Sequence, residues 1–283
     1  MSAPQRDAPT NLTSLQARIR NVAQEQGQQF RRIQRAVAST VVGQMLPDGV
    51  VKGGTAMKIR VGEAGSRYTP DFDASRSQNV TVDDYIEQLR DRLERGWSGF
   101  TGTVRVLEPR EVEDVPPDYV MQPFEIRLSY QGRHWLTVEF DLGHDEVGST
   151  EDRDLRIADD IVEIFATIGL EAPAPIPLML VEHQVAQKLH ACTYVSPKTN
   201  RNDRAHDLVD LQILEQEDTI DYAELREIGT RLFAARRAHE WPPTVVEYDD
   251  WNTIYAEAAE GLDVLPTVTE AVAWANDLIA RAE

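Results

Sequence analysis

The tripeptide Asp71-Phe72-Asp73 constrains the fold of this chain more than any other feature. In an extended strand, residues two positions apart project to the same side, so both carboxylates face one way while Phe72 faces the other. Two carboxylates held side by side repel each other unless a cation or a shared proton neutralises them. The sequence therefore predicts a strand with its aromatic face in a core and its acidic face open to a charged partner.

Carboxylate pairs of this kind suit Mg²⁺, which is bound through one or two carboxylates, several waters and substrate phosphates. We expect Asp71 and Asp73 to bind Mg²⁺, with Mn²⁺ as the alternative ion. Asp141 is a candidate third ligand, because it shares one face of a predicted strand with Glu139. A third acid can bind a second metal or deprotonate an attacking hydroxyl. Two alternatives stay open: a solvated acid pair at a strand edge and, for Asp141, an ordinary exposed strand face.

A glycine-rich segment, Lys52-Gly53-Gly54-Thr55, lies between a short apolar strand and a predicted helix. Two glycines let the backbone approach a phosphate closely, and the helix start offers free N–H groups and the positive end of the helix dipole. The spacing differs from that of a Walker A loop. A Gly-Gly turn after a strand is often only a tight turn, so this segment gains weight from the aspartate pair that follows it.

Hydrophobic periodicity places the predicted strands in the first part of the chain. Two helices are expected within residues 11–45, and another at residues 81–95, where Thr81 is a suitable N-cap followed by two acids. The segment Gln131-Gly132-Arg133 favours a hairpin turn. Strands are expected at residues 50–51, 71–73, 101–107, 124–130 and 134–142.

From residue 158 onward the pattern predicts helices only. They are expected at residues 180–194, 203–216, 222–238, 250–261 and 268–282. Three prolines make the segment 170–177 a predicted stiff connector. The sequence therefore predicts an α/β (α+β) protein: a mixed-sheet lobe with N-terminal helices over residues 1–169, followed by an all-helical lobe over residues 170–283.

The predicted helical lobe carries a second group of charges. Lys188 lies one turn from Gln184 on one helix, and the next helix places Asp203, Asp207 and Asp210 along one side. Three acids one turn apart repel each other unless a positive group lies opposite them. Lys188, Arg204 or a ligand could supply that charge. The alternative of a purely structural Lys–Asp pair between two helices stays open.

Composition bears on partners and compartment. The formal net charge is −19, whereas proteins that bind nucleic acid through its phosphates usually present a basic surface. Arginines nevertheless cluster at 201 and 204 and at 236 and 237, so nucleic-acid binding is expected to be local and salt-sensitive; the alternative is a solvated helix face. A single cysteine, Cys192, excludes an intrachain disulfide. With no apolar run of membrane-spanning length, a cytoplasmic protein without membrane partners is expected.

Several enzyme classes lack their motifs here. The histidines and Cys192 match neither HExxH nor a paired-cysteine zinc pattern. The chain also lacks the GxSxG segment of α/β-hydrolases and the glycine-rich loop and HRD segment of protein kinases. Hydrolases and kinases of these types are therefore disfavoured.

Taken together, the motifs resemble those of the AbiEii-type (MenT-like) nucleotidyltransferase toxins of type IV toxin–antitoxin systems. The similarity runs from residue 11 to about residue 262, with the motifs in matching order and spacing. Thr55 stands where many members have serine, and either hydroxyl can donate a hydrogen bond. The segments that carry the resemblance are Lys52-Gly53-Gly54-Thr55, Asp71-Phe72-Asp73, Gln187-Lys188-Leu189-His190-Ala191 and residues 202–210.

The resemblance implies a DNA polymerase β-like nucleotidyltransferase lobe and transfer of a nucleotide from a nucleoside triphosphate (NTP). Carried over by position, Asp71 and Asp73 would bind the metal. Lys188 would contact the triphosphate, and Asp210 would be a further acid needed for activity. Gly53 and Thr55 would line the phosphates, with Lys52 and Gly54 completing the NTP-binding loop.

Some members modify the 3′ acceptor end of tRNA and thereby stop translation. The resemblance therefore makes tRNA the leading acceptor and a cognate antitoxin an expected partner, and we take Arg201, Arg204, Arg236 and Arg237 as candidate RNA contacts. One alternative is a nucleotidyltransferase that modifies a small molecule or a protein hydroxyl, which the acidic composition slightly favours. Another is a non-catalytic interaction module, against which the retained Asp71, Asp73 and Lys188 argue.

Overall fold

The structure, a computed structural model, describes residues 7–109, 120–195 and 201–283. The chain divides into two compact units. The first comprises Met1–Ala64 with Tyr68–Leu178, and the second comprises Gly65–Arg67 with Met179–Glu283. The predicted division between residues 169 and 170 thus lies ahead of the one that the structure shows.

A mixed sheet forms the centre of the first unit. Its strands, in chain order, are β1 (Gly49–Lys52), β2 (Phe72–Arg76), β3 (Phe100–Val106), β4 (Gln122–Tyr130), β5 (Arg133–Gly143), β6 (Arg153–Arg156) and β7 (Ile176–Met179). Within the described residues their spatial order is β3-β4-β5-β2-β1-β7-β6. The pairs β3–β4, β4–β5 and β1–β2 are antiparallel, whereas β2–β5 and β1–β7 are parallel. The predicted mixed sheet is confirmed.

The turn between β4 and β5 shows how local sequence sets the register. Tyr130 pairs with Arg133, which leaves Gln131 and Gly132 as the two turn residues. Both have positive φ, 48° and 74°, as a two-residue turn of the type I′ class requires. The predicted hairpin is confirmed, and it sets the register of the pairs next to the turn. A β-bulge between Leu128 and Ser129 shifts the pairing that continues to Asp141.

Among the described residues, the first unit contains five helices: α1 (Leu12–Glu25), α2 (Phe30–Gly43), α3 (Gly53–Val61), α4 (Val82–Arg95) and α5 (Asp159–Ile168). Buried apolar residues of α1, α2, α4 and α5 share one core with the sheet. The centre of that core is an aromatic stack in which Phe140 lies 4.9 Å from Phe72 and 4.4 Å from Phe124. Burying each such side chain contributes about 1.5–3 kcal/mol. Thr81 caps α4 by accepting a hydrogen bond from the Asp84 N–H, as predicted.

The prediction that only helices follow residue 158 is wrong. Strand β7 begins at the end of the proline-rich segment 170–177, which was expected to be a connector, and it joins the sheet where Leu178 pairs with Val51. Ile176 and Leu178 are buried in the core, while Pro177 lies between them. A proline removes one backbone donor but does not prevent a short strand near the edge of a sheet. Burial of the alternating apolar side chains outweighs the missing hydrogen bond.

The second unit contains the five predicted helices, which the structure places at α6 (Val181–Thr193), α7 (His206–Glu217), α8 (Tyr222–Arg236), α9 (Trp251–Ala259) and α10 (Val268–Arg281). Helix α7 begins later than the expected residue 203. Helices α6 and α7 are buried on most sides although they carry many polar residues. Buried polar side chains need partners, and these partners form part of the site described below. In the parts of the chain that are described, no helix has the length and apolar character to cross a bilayer.

Candidate active site

A row of charged side chains crosses the middle of the sheet in the first unit. Lys52 of β1 lies opposite Asp73 of β2, and Asp73 lies opposite Asp141 of β5. Residues directly opposite each other on neighbouring strands share a face of the sheet. The preceding pair, Phe72 and Phe140, therefore projects to the other face, where the two rings stack in the core. The alternation predicted for Phe72 and Asp73 is confirmed.

The start of helix α3 packs directly against this row. Gly53 has φ +60°, and a Cβ added there would lie 2.3 Å from Oδ2 of Asp73. A Cβ at Gly54 would lie 2.9 Å from the side chain of Thr69. Close packing thus requires glycine at both positions, and at Gly53 the positive φ favours glycine as well. The Asp73 carboxylate and the free N–H groups at the start of α3 consequently belong to one site.

Asp71 lies at a bend one residue before β2, rather than inside the strand as predicted. Its backbone carbonyl accepts a 2.8 Å hydrogen bond from the hydroxyl of Thr55, which is buried. This bond ties the first turn of α3 to the start of β2. Thr55 was expected to line the phosphates; the contact that the structure shows for its hydroxyl is with Asp71, which gives Thr55 a positioning role.

Lys52 extends across β2 toward β5. A Cβ at Gly143 would lie 2.6 Å from Nζ of Lys52 and 3.3 Å from Oγ of Ser75. The ammonium group therefore occupies space that any side chain at Gly143 would need. Sequence reasoning missed Gly143, although its position two residues after Asp141 on a strand indicates the same face.

His144, the next residue, also lies near this positive charge. Burial lowers the pKa of its imidazole, and the charges of Lys52 and Arg76 lower it further, against the opposing effect of Glu146. The ring is therefore neutral at pH 7. Sequence reasoning did not single out His144, because a lone histidine after a strand carries no motif.

The carboxylates of this site fit a particular kind of metal. Asp71, Asp73 and Asp141 offer only hard oxygen ligands, and Asp73 and Asp141 are neighbours in the same row. Among the described residues, no group of three or more His, Cys, Asp and Glu side chains is assembled to hold an ion. Hard oxygen donors are the ligands that Mg²⁺ takes, together with water and substrate phosphates.

A second charged cluster lies wholly within the second unit. Nζ of Lys188 on α6 donates to Asp207 at 2.8 Å and to Asp210 at 2.6 Å, both on α7. The two aspartates are 0% and 1% exposed. Asp203, the third acid of the predicted row, lies before α7 begins and is exposed. Two of the three predicted acids thus meet the lysine, and the third does not.

Two arginines complete this cluster. Arg67 forms two hydrogen bonds to the carboxylate of Asp210. Its Nε donates to Oδ1 at 3.0 Å, and its Nη2 donates to Oδ2 at 3.0 Å. Arg204 donates to Asp207 at 2.7 Å. Two-pronged pairing of this kind is among the strongest of charge-assisted hydrogen bonds. Sequence reasoning missed Arg67, because it lies far from α7 along the chain and belongs to no recognisable motif.

The pKa values in this cluster move in opposite directions. Burial by itself lowers the pKa of Lys188, but the negative charges of Asp207 and Asp210 outweigh it and raise the value above that of a free lysine. Burial raises the pKa of Asp207, but Lys188 and Arg204 outweigh it and hold the value well below the usual range. Lys188 is therefore a fixed positive charge at neutral pH and cannot serve as a general base.

Of the other predicted residues, Arg204 belongs to the second charged cluster, and the rest lie outside both clusters. Cys192 is buried, and burial raises the pKa of its thiol well above the usual value, so it is inert packing as expected. Arg201, Arg204 and Arg236 line one cavity of the second unit, with a volume of about 710 Å³. Arg237 lines a different cavity, together with Trp241.

Comparison with known proteins identifies the family of this chain. The family model described as "Nucleotidyl transferase AbiEii toxin, Type IV TA system" matches residues 36–276. The chain belongs to this family. The resemblance drawn from its motifs is confirmed, and with it the assignment as a nucleotidyltransferase of the AbiEii toxin type, which uses an NTP and has an antitoxin as partner.

A solved structure supports the fold of this AbiEii-family chain. The nucleotidyltransferase toxin MenT4 from Mycobacterium tuberculosis H37Rv is 16% identical, and the superposition covers 94% of this chain and 98% of that chain with a TM-score of 0.54. At that identity the likeness concerns the fold. The curated proteins include no match.

Proposed function

We propose that this AbiEii-family enzyme transfers a nucleoside monophosphate from an NTP to the 3′ acceptor end of tRNA in a Mg²⁺-dependent reaction that blocks translation. The observation that carries the chemical part is the row Lys52, Asp73 and Asp141 beside the glycine start of α3. It combines carboxylates for a divalent ion with backbone N–H groups and an ammonium for phosphates. A reaction on tRNA would take place in the cytoplasm.

Asp71 and Asp73 are the proposed metal ligands, with Asp141 available for a second ion. When bound, Mg²⁺ (or Mn²⁺) neutralises charge that develops on the phosphates. The N–H groups of Gly53 and Gly54, at the start of α3, are the proposed donors to phosphate oxygens, and Lys52 adds a positive charge. Thr55 acts indirectly, by holding the Asp71 carbonyl.

The transfer needs a nucleophile and a leaving group. The acceptor hydroxyl oxygen forms a bond to the α-phosphorus of the NTP, the bond from that phosphorus to the β-phosphate oxygen breaks, and pyrophosphate leaves. The hydroxyl proton needs an acceptor, and Asp141 is our candidate for that role because it neighbours Asp73 on the same face of the sheet.

Lys188 and Asp210 enter this proposal through the family resemblance. We assign Lys188 to the triphosphate as a point positive charge and Asp210 to holding Lys188 in position, a role that its 2.6 Å contact supports. The same contact also supports the alternative in which the cluster only stabilises the second unit. Lys188→Met lowers the melting temperature under either reading, because it removes the cation between two buried carboxylates. The KM for NTP, measured below that melting temperature, separates the readings: the first raises it and the second leaves it unchanged.

RNA is the proposed acceptor for a geometric reason. An attacking hydroxyl must reach the α-phosphorus in line, which a flexible single-stranded end does more easily than a duplex interior. Arg201, Arg204, Arg236 and Arg237 are the proposed contacts. A second candidate acceptor, a small molecule or a protein hydroxyl, is favoured by the net charge of −19.

The deciding assay incubates the protein and Mg²⁺ with each labelled NTP and, in turn, tRNA, tRNA lacking its terminal adenosine, and total RNA. We expect label in intact tRNA and none in the presence of EDTA. An Asp73→Asn variant should lose at least about 100-fold in rate, since one metal ligand is gone, while its melting temperature changes little. Label that enters only protein or a small molecule would promote the second candidate, and full activity of Asp73→Asn would refute the metal site.

A further inference from the structure

The cavity of about 710 Å³ in the second unit has an unusual mixture of side chains. Its volume lies within the range of about 300–1,000 Å³ that is typical of sites for small ligands. Aromatic rings, guanidinium groups and carboxylates all contribute to its wall. Residues that line the cavity include Tyr194, Tyr248, Arg201, Arg236, Asp249 and Asp250.

The aromatic rings are held in place by neighbours of their own. The ring of Tyr194 is 38% exposed and stacks on His190, with centroids 6.0 Å apart and planes 13° apart. Tyr248 packs against Trp251 at 5.3 Å, and the indole N–H of Trp251 donates to the Asn202 carbonyl at 2.7 Å. Rings that are fixed in this way offer a flat surface at little entropic cost, as stacking with a nucleobase requires.

The charged groups of the cavity have both signs. Arg236 lies 3.2 Å from Nδ1 of His190, which directs its guanidinium along the aromatic wall. Arg201 is 78% exposed, and its Nη2 lies 4.0 Å from Asp250. A site for a bare polyanion would not carry Asp249 and Asp250 beside the arginines. A nucleotide matches the mixture, because its phosphate is an acceptor while its exocyclic amine and ribose hydroxyls are donors.

We propose that this cavity binds one unpaired nucleotide of the acceptor RNA. The base stacks on Tyr194, the phosphate pairs with Arg201 and Arg236, and Asp249 or Asp250 accepts hydrogen bonds from the sugar or base. This proposal rests on RNA being the acceptor, as proposed above. It assigns to the second unit a nucleotide-binding subsite that is separate from the metal-binding row of the first unit.

The test measures binding without turnover. Fluorescence anisotropy of a labelled tRNA and of a short single-stranded RNA with the same 3′ end is recorded with the full chain, without NTP or Mg²⁺. The variants are Tyr194→Leu, Tyr194→Phe, and Arg201→Gln combined with Arg236→Gln. Arg231→Gln removes one exposed arginine from the same helix as Arg236 without touching the cavity, so it is the matched control.

We expect Tyr194→Leu to weaken binding of both RNAs about fivefold or more, whereas Tyr194→Phe binds like the wild type because it keeps the stacking surface. The double arginine variant should also lower the slope of log Kd against log salt by about 0.7 for each lost phosphate contact. Arg231→Gln should remain within twofold of the wild type. Because Arg201 is mostly exposed, Arg201→Gln alone serves as a variant whose folding is not in question.

Unchanged RNA binding in the cavity variants would overturn the proposal. An equal loss of RNA affinity in Arg231→Gln would also overturn it, because it would indicate a general effect of charge. Binding of an oligoglutamate peptide that exceeds RNA binding and is lost in the same variants would overturn it in favour of a protein partner. The outcome is independent of the proposed reaction. If the cavity variants selectively lose RNA binding, the cavity binds RNA even if no label is transferred. If the variants transfer label with an unchanged KM for RNA, the proposed reaction stands and the cavity has no part in it.

Discussion

At the residue scale, the candidate active site depends on how closely a carboxylate and a backbone can approach each other. Asp73 fills the space that a side chain at Gly53 would need, and Lys52 fills the corresponding space at Gly143. The proximity of Asp73 to Gly53 was predictable in part, because the glycines and the aspartates form recognisable motifs. The proximity of Lys52 to Gly143 was not predictable, because nothing in the sequence shows that β1 and β5 flank the same strand.

Replacing Gly53 by alanine tests this packing. The new Cβ would lie 2.3 Å from the Asp73 carboxylate, and the alanine backbone would have to keep φ +60°. We expect a loss of about 1–3 kcal/mol in unfolding free energy and a loss of more than tenfold in transfer rate, because Asp73 must move. Gly27→Ala is the matched control, since Gly27 has φ +65° with nothing within 4 Å. Chemical denaturation and a transfer assay give both quantities; equal effects of the two substitutions would show that backbone strain alone is responsible.

The buried aspartates of the second unit allow a similar comparison. Asp207→Asn removes a charge that faces Lys188 and Arg204, whereas Asp203→Asn changes an exposed acid before the helix. We expect the first to lower the unfolding free energy by about 3–5 kcal/mol at pH 7, because the buried Lys188 loses one of its two carboxylate partners. The second should lie within about 0.5 kcal/mol of the wild type. Thermal or urea unfolding measures both, and similar small effects would mean that Asp207 is not energetically coupled to the cations.

The difference in unfolding free energy between the wild type and Asp207→Asn should depend on pH in a definite direction. The folded pKa of Asp207 is lowered, so its contribution is present above the unfolded value of about 3.9 and is lost as the pH falls below it. The gap between wild type and Asp207→Asn should therefore shrink below about pH 4. Lys188 has a raised pKa, so its contribution holds below about pH 10.4 and is lost only at higher pH. Urea unfolding from pH 3 to pH 8 follows the acid side, and a gap that is constant over this range would contradict the assignment.

At the scale of elements, sequence periodicity located most helices and strands but not all of their partners. The hairpin of β4 and β5 and the cap of α4 were predictable, because turn and capping residues act locally. Strand β7 was missed, since prolines suggested a connector and only a pairing distant in sequence, with Val51, reveals the strand. The same limit applies to Arg67, whose partner Asp210 lies on a distant helix. Local signals identify elements, whereas contacts between elements depend on tertiary packing that one sequence does not display.

At the scale of the whole molecule, a net charge of −19 must be reconciled with a polyanionic acceptor. Most of the surface repels RNA, so attraction has to come from a few arginines and from stacking. The ordinary rule that nucleic-acid binders are basic would have excluded RNA from composition alone. The motif resemblance and the mixed lining of the cavity in the second unit are what support RNA as the proposed acceptor.

This charge predicts how the two substrates respond to salt. Raising the salt concentration weakens the contacts of a few arginines with phosphates, and it also screens the general repulsion between the acidic surface and RNA. If two phosphates are paired with arginines, the slope of log Kd for a short single-stranded RNA should be about 1.4. This slope is shallower than for a basic protein because few phosphates are contacted, and relief of the repulsion lowers it further. The KM for NTP should change less, since its phosphates are held in part by backbone N–H groups. Steady-state transfer rates between 50 mM and 300 mM KCl, with each substrate varied in turn, give the KM for RNA and the KM for NTP. A KM for RNA that does not change with salt would mean that arginine–phosphate contacts do not hold the acceptor.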